Sequence, residues 1–141
     1  MNIENFKIPI IILNWNGLQD TLECLDSLAH QTYQNYQVYL VDNGSKGKDA
    51  KILKEKFGQN EKIHLIFNKE NLGFTKGNNE VLRKHVLPNA AYKYVILLNN
   101  DTAQDKNWIT ELLKAAAEQK AHIVTSKMIN YFDRSKMDNA G

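Results

Sequence analysis

Short apolar runs that end in polar, turn-forming residues recur along this chain. Ile8-Pro9-Ile10-Ile11-Ile12-Leu13 runs into Asn14-Trp15-Asn16-Gly17, and Val38-Tyr39-Leu40-Val41 runs into Asp42-Asn43-Gly44-Ser45. Tyr94-Val95-Ile96-Leu97-Leu98 does the same into Asn99-Asn100-Asp101-Thr102. Runs of this length, rich in β-branched residues and bounded by turn formers, predict buried strands of a parallel sheet. Ile63, Leu65 and Phe67 alternate as a fourth strand. Between the runs the apolar period becomes helical. Leu18, Leu22, Leu25 and Leu28 share a face, and Asn16 with Gln19 is spaced as a helix start. Residues 46–57 predict a second helix, with Ile52, Leu53 and Phe57 on one face and Gly58 as the stop. A weaker helix spans 75–86 and closes at Pro88. Asp105 is placed to cap a helix carrying Trp108, Ile109, Leu112, Leu113 and Ala116. Ile123-Val124 predicts the start of a fifth strand, and residues 128–132 read as extended before the turn-like Asp133-Arg134-Ser135. This alternation argues for a three-layer, Rossmann-like α/β/α domain with a mostly parallel sheet covered on both faces.

In such sheets ligands bind outside the carboxyl ends of the strands, where the loops converge. Three strands here deliver Asn and Asp to that edge, groups suited to a nucleotide and a hard cation. Composition narrows the partners. At 141 residues the chain is one domain, with room for a core but short for a complete α/β enzyme. Its net charge of +2 gives no argument for nucleic acid or membrane as the main partner. The single cysteine, Cys24, excludes an internal disulfide framework and reads as helix packing. The first seven residues lack a secretory pattern and no run reaches membrane-spanning length, so a cytoplasmic protein is expected. The two Asn-x-Ser/Thr matches, at Asn43 and Asn100, therefore carry no weight. No G-x-x-x-x-G-K-[ST] or G-x-G-x-x-G follows a strand, and Gly73-Phe74-Thr75-Lys76-Gly77 has the spacing of neither. Phosphates would then be held by a metal or by scattered side chains. His30, His64, His85 and His122 show no metal-ligand spacing, and the mixed charges of 46–56 read as a solvated helix face.

The candidate residues each have a plainer alternative. Asn99-Asn100-Asp101 is also a common strand-end turn, and Asp42-Asn43-Gly44 a common Asn-Gly turn. Asp101 is the best metal candidate, helped by Asn99 through its amide oxygen or water. Asp42 and Asn43 are oriented to pair with a base edge or ribose hydroxyls. As a loop carboxylate, Asp42 is expected to carry little folding energy. Trp15 either flanks a base or packs in the core. Asn71 and Lys76 either approach ribose and diphosphate or sit in solvent. Asn78 and Asn79, unusual inside a helix, are left undecided.

In chain order, several segments together resemble the N-terminal half of family 2 glycosyltransferases, in particular the rhamnosyltransferase-like branch. They are Ile11 to Gly17, Thr21 to Leu28 leading to Gln31-Thr32-Tyr33, and Val41-Asp42-Asn43-Gly44-Ser45. Asn71-Leu72-Gly73-Phe74 with Gly77-Asn78-Asn79 follows, then Leu97 to Thr102 and Trp108. The resemblance implies a truncated GT-A nucleotide-diphospho-sugar transferase fold. It also implies a donor of uridine or thymidine type at Leu13, Asn14, Trp15, Asp42, Asn43, Asn71, Lys76 and Asn100, and Mg2+ or Mn2+ at Asp101 and Asn99. The family's Asp-x-Asp stands here as Asn99-Asn100-Asp101, with one carboxylate in place of two. Residues 1–141 would then be the nucleotide-sugar-binding part. The catalytic base and the saccharide acceptor site are expected beyond Gly141, since Asp133 lies in a turn and Asp138 precedes the acceptor half. The reaction implied is inverting sugar transfer in cell-surface polysaccharide synthesis. Peripheral attachment of a longer protein at the inner membrane face is compatible with it. So is self-association of this chain through apolar surface that the missing half would cover. A nucleotidyltransferase is disfavoured because no glycine- and arginine-rich loop follows Leu13. A receiver-type signalling domain is disfavoured because Asn14-Trp15-Asn16 stands where its acidic pair would.

Overall fold

The computed structural model describes residues 6–139. The leader reading of residues 1–5, and Ala140-Gly141 at the end of the predicted acceptor-linking segment, lie outside them. Six strands and four helices alternate: β1 (Ile8–Asn14), α1 (Leu18–Ala29), β2 (Tyr36–Asn43), α2 (Asp49–Phe57), β3 (Ile63–Asn68), α3 (Gly73–Val81), β4 (Ile96–Asn99), α4 (Trp108–Glu118), β5 (Met128–Ile129) and β6 (Met137–Asn139). A π-helical turn, Leu82–Val86, extends α3.

The first four strands form one parallel sheet in the order β3-β2-β1-β4. The chain steps outward from β1 to β2 to β3, then returns to place β4 on the other side of β1. The direction of winding therefore reverses between β1 and β4, which opens a crevice at their carboxyl ends. The register aligns those ends: Asn14 lies beside Asp42, and Leu13 beside Asn99.

The continuous apolar run of β1 follows from its central position. Ile8, Ile10 and Ile12 pack with Val38, Leu40 and Leu98 against Cys24, Leu25 and Leu28 of α1, Leu53 of α2, and Ile109 and Leu113 of α4. Ile11 faces the other way, with Tyr39 and Val41, against Val81 and Val86. All four isoleucines have no exposed surface, and each full burial contributes roughly 1.5–3 kcal/mol. The sheet is thus covered on both faces, by three helices on one side and by α3 with its π turn on the other.

The structure corrects several expected boundaries. Helix α1 is capped by Gly17 without a side-chain bond, and Asn16 instead adopts a positive φ of 54°. Helix α2 begins at Asp49, because residues 44–48 are taken up by a loop. Asn107 caps α4, while Asp105 accepts the Asn107 amide from the preceding turn. Ile123-Val124 forms no strand, and Ile123 is 87% exposed. Among the described residues nothing pairs with the outer edge of β4, and Met128–Ile129 pairs antiparallel with Met137–Asn139 in a separate ribbon. No helix among the described residues is long and apolar enough to cross a membrane.

Candidate active site

Asn14 ends β1 without any exposed surface, at the centre of a buried polar network. Its Nδ2 lies 2.9 Å from Asp42 Oδ1, 3.1 Å from Ser45 Oγ and 3.1 Å from Asp49 Oδ2. An amide has two hydrogens, so at most two of these three acceptors are served at once. Thr21 Oγ1 donates to Asn14 Oδ1 at 2.8 Å, and Asn100 Nδ2 donates to Thr21 Oγ1 at 2.9 Å. Asp42, also buried, accepts the Ser45 amide through its other oxygen. Ser45 Oγ accepts the Asn16 amide, and Asn16 Oδ1 accepts the Lys46 amide. One network therefore ties the loops after β1, β2 and β4 to each other. Gly17 leaves room for the Asn100 side chain, since a Cβ there would sit 2.8 Å from Asn100 Nδ2.

A second clamp holds the loop before α3. Asn43 Nδ2 donates to Asn71 Oδ1 and the Gly73 carbonyl, and Asn43 Oδ1 accepts from Asn68 Nδ2 and the Leu72 amide. All four hydrogen-bonding positions of the Asn43 amide are used. Gly44 has φ +74°, and a Cβ on it would lie 2.4 Å from the Glu70 carbonyl carbon. Only glycine lets the two loops touch here.

The segment after β4 alternates. Asn100, Thr102 and Gln104 turn toward α1: Asn100 bonds Thr21, Gln104 accepts from Ser27, and Thr102 accepts from Gln104. Asn99 and Asp101 are exposed, and neither side chain makes a hydrogen bond or ion pair among the described residues. The two residues expected to hold a cation are therefore the two left uncommitted. Cys24 lies beneath them, its thiol pushed up to about 12 by burial, against hydrogen bonding from Thr102 and with the Asp101 charge adding to the rise. It is an inert packing group, not a nucleophile.

The expected donor residues thus divide into two sets. Trp15 is 53% exposed, so the core-packing alternative fails and its ring stands on the crevice loop. Lys76 is exposed on the first turn of α3, and Asn71 is exposed with its Oδ1 bonded to the Gly73 amide. Leu13, half-buried, packs close to Gly77. Asn14, Asn43 and both Asp42 oxygens are engaged by protein partners, and Asn100 bonds Thr21 through its amide nitrogen, so these four brace the loops around the crevice. Asn78 is buried and bonds the Phe74 carbonyl one turn back. Sequence reasoning gave Thr21, Ser45 and Asp49 no individual role, although Thr21 and Ser45 lie within the motifs that carry the resemblance. Asp49 was hidden among the mixed charges of 46–56, which read as a solvated helix face.

Among the described residues no three or more His, Cys, Asp or Glu converge as a metal site. The donor set offered is one carboxylate and one amide oxygen, both hard ligands. That fits a cation such as Mg2+ or Mn2+ only when phosphate oxygens complete its shell.

The fold is that of the GT-A glycosyltransferases. S. aureus TarS 1–349 in complex with UDP-GlcNAc is similar with a TM-score of 0.67 and 22% identity, over 82% of this chain and 32% of that one. The mannosyltransferase PcManGT from Pyrobaculum calidifontis, in complex with GDP-Man and Mn2+, is similar with a TM-score of 0.68 and 18% identity, over 81% of this chain and 34% of that one. The model of glycosyl transferase family 2 matches residues 10–139, and the chain belongs to that family. It is 25% identical over 126 residues to the bifunctional glycosyltransferase pgtA of Dictyostelium discoideum, and 27% identical over 131 residues to the glycosyltransferase GlyA of Streptococcus pneumoniae. Those matches cover 89% and 93% of this chain but only 16% and 18% of the relatives. Family membership sets aside the nucleotidyltransferase and receiver-type alternatives.

Proposed function

We propose that this chain is the donor-binding part of an inverting glycosyltransferase that takes a uridine or thymidine diphosphate sugar. The acceptor is a glycan or lipid-linked saccharide in cell-surface polysaccharide synthesis, and the branch is the rhamnosyltransferase-like one suggested by the motif order. The reading rests on one observation: at the switch-point crevice, an exposed Trp15 ring and the uncommitted Asn99 and Asp101 stand on loops fixed by a buried, saturated polar network. Trp15 offers an apolar face to a base. Lys76 offers a positive charge to a diphosphate. The Asp101 carboxylate and the Asn99 amide oxygen would hold a divalent cation. Once bound, such an ion offsets the negative charge that grows on a departing diphosphate.

The general base is supplied from outside this chain. Asp133 is tied to Ser135 and Lys136, which hold its carboxyl below the usual carboxylate range and make it a weak base. Asp138 accepts from Asn130 within the β5–β6 ribbon. Donor binding without sugar transfer is therefore expected of residues 1–141. Calorimetry with UDP and dTDP, with and without Mn2+, tests the reading. Trp15→Ala should weaken nucleotide binding at least tenfold with folding unchanged, and Asp101→Ala should abolish the gain from Mn2+. Unchanged affinity in both folded variants would remove the crevice as the donor site. Metal-dependent transfer by this chain alone would show that it holds its own base.

A further inference from the structure

We propose that a polar stripe running along α1 and just past its end is the device that positions Asp101, with Ser27 and Gln31 as its positioning residues. This rests on the reading of Asp101 as the cation ligand. Thr21, Cys24 and Ser27 recur every three residues on one face of α1, where an apolar stripe would be the ordinary choice, and Gln31 follows just beyond the helix end at His30. Each grips a successive part of the segment after β4. Thr21 holds Asn100 at 2.9 Å, and the Cys24 thiol approaches the Asn99 carbonyl at 3.7 Å. Ser27 Oγ lies 2.7 Å from both Gln104 Oε1 and the Cys24 carbonyl, its single hydrogen serving one at a time, and accepts the Gln104 amide at 3.0 Å. Gln31, 2% exposed, donates to the Asp105 carbonyl at 2.6 Å and accepts the Ile109 amide at 3.1 Å. Thr32 continues the seam, its amide bonding the Lys106 carbonyl at 2.8 Å.

Residues 100–107 lie outside any helix or strand, so their backbone groups need partners from elsewhere. The stripe supplies them. Gln31 also does what a local cap would do for α4, whose own cap residue Asn107 makes no side-chain cap bond. The loop is held by every second side chain on its inner side, which leaves Asn99 and Asp101 facing out from a rigid backing. Residues behind a ligand that fix its orientation commonly change metal affinity by about 10–100-fold when removed.

The experiment measures Mn2+ affinity in the presence of saturating UDP, together with amide hydrogen exchange over 100–107. Ser27→Ala and Gln31→Ala should each weaken Mn2+ binding about tenfold, leave metal-free UDP affinity unchanged and accelerate exchange in 100–107. Ser27→Thr keeps the hydroxyl and should restore the coupling. Val86→Ala serves as a control for general destabilisation, since it thins the core on the opposite face of the sheet and should leave the coupling intact. Wild-type coupling that survives both alanine variants would overturn the positioning role while leaving Asp101 as ligand. Absence of coupling in the wild type would overturn the Asp101 reading itself, and this inference with it.

Discussion

The Asn14 amide nitrogen lies 2.9 Å from Asp42 Oδ1, joining the carboxyl ends of two neighbouring strands within a buried network. Removing the Asn14 amide leaves the buried Asp42 carboxylate with the Ser45 amide alone, and deprives the Thr21 hydroxyl of its acceptor while Asn100 still donates to it. Asn14→Ala should therefore cost about 2–4 kcal/mol, at the upper end for a single polar deletion. Asp42→Ala should cost about 1–3 kcal/mol for the same reason, contrary to the small effect expected of a loop carboxylate. Urea unfolding of the two variants checks both values. A loss under about 0.5 kcal/mol in each would mean that the network is relaxed by water.

Gly44 is the tightest backbone contact at the site. Its φ of +74° and the 2.4 Å that a Cβ would leave to Glu70 make Gly44→Ala a strained substitution with no flexible neighbour to give way. A loss of about 2–4 kcal/mol is expected, with faster amide exchange across residues 68–73. A Gly44→Ala variant as stable as the wild type would show that the loops separate freely.

Alkaline stability should report on Cys24. Its folded pKa lies above the unfolded value, so the folded state binds the proton more tightly. The stability this contributes is present below about pH 9 and is lost as the pH rises toward about 12. The slope is at most about 1.4 kcal/mol per pH unit, and Cys24→Ala should remove it from urea midpoints measured across that range. A slope unchanged by Cys24→Ala would assign the alkaline loss to other groups.

Acid should act at the π turn. His85 packs against His64 and Tyr39, with ring centroids 5.1 and 5.5 Å away. Burial, His64 and Lys84 all push its pKa down. A depressed folded pKa makes the associated stability present above the ordinary histidine value of about 6.5 and lost as the pH falls below it. His85→Gln should thus lose less stability than the wild type between pH 7 and pH 5, and amide exchange over 82–86 should quicken on acidification only when His85 is present. Equal acid losses in the two proteins would relieve His85 of this role.

The four strands of the main sheet, its parallel class and its polar edge were legible in the sequence because each is a local consequence of burial. A strand covered on both faces must be apolar at every position, as β1 is, and its polar residues can only collect where it ends. The colinear motifs were legible because each lies within a short continuous stretch of chain. The division of labour within those motifs was not. Whether Asn14 lines the crevice or holds it depends on Asp42 and Thr21, and whether Asn100 or Asp101 faces out depends on a hydroxyl 79 residues away. Ile123-Val124 has the composition of a strand, yet it forms none in the structure. Hydrophobic periodicity records how much of a residue must be hidden. Only the packed chain decides which polar atoms are used up in hiding it, and at this edge that is what separates Trp15, Asn99 and Asp101 from the residues that support them.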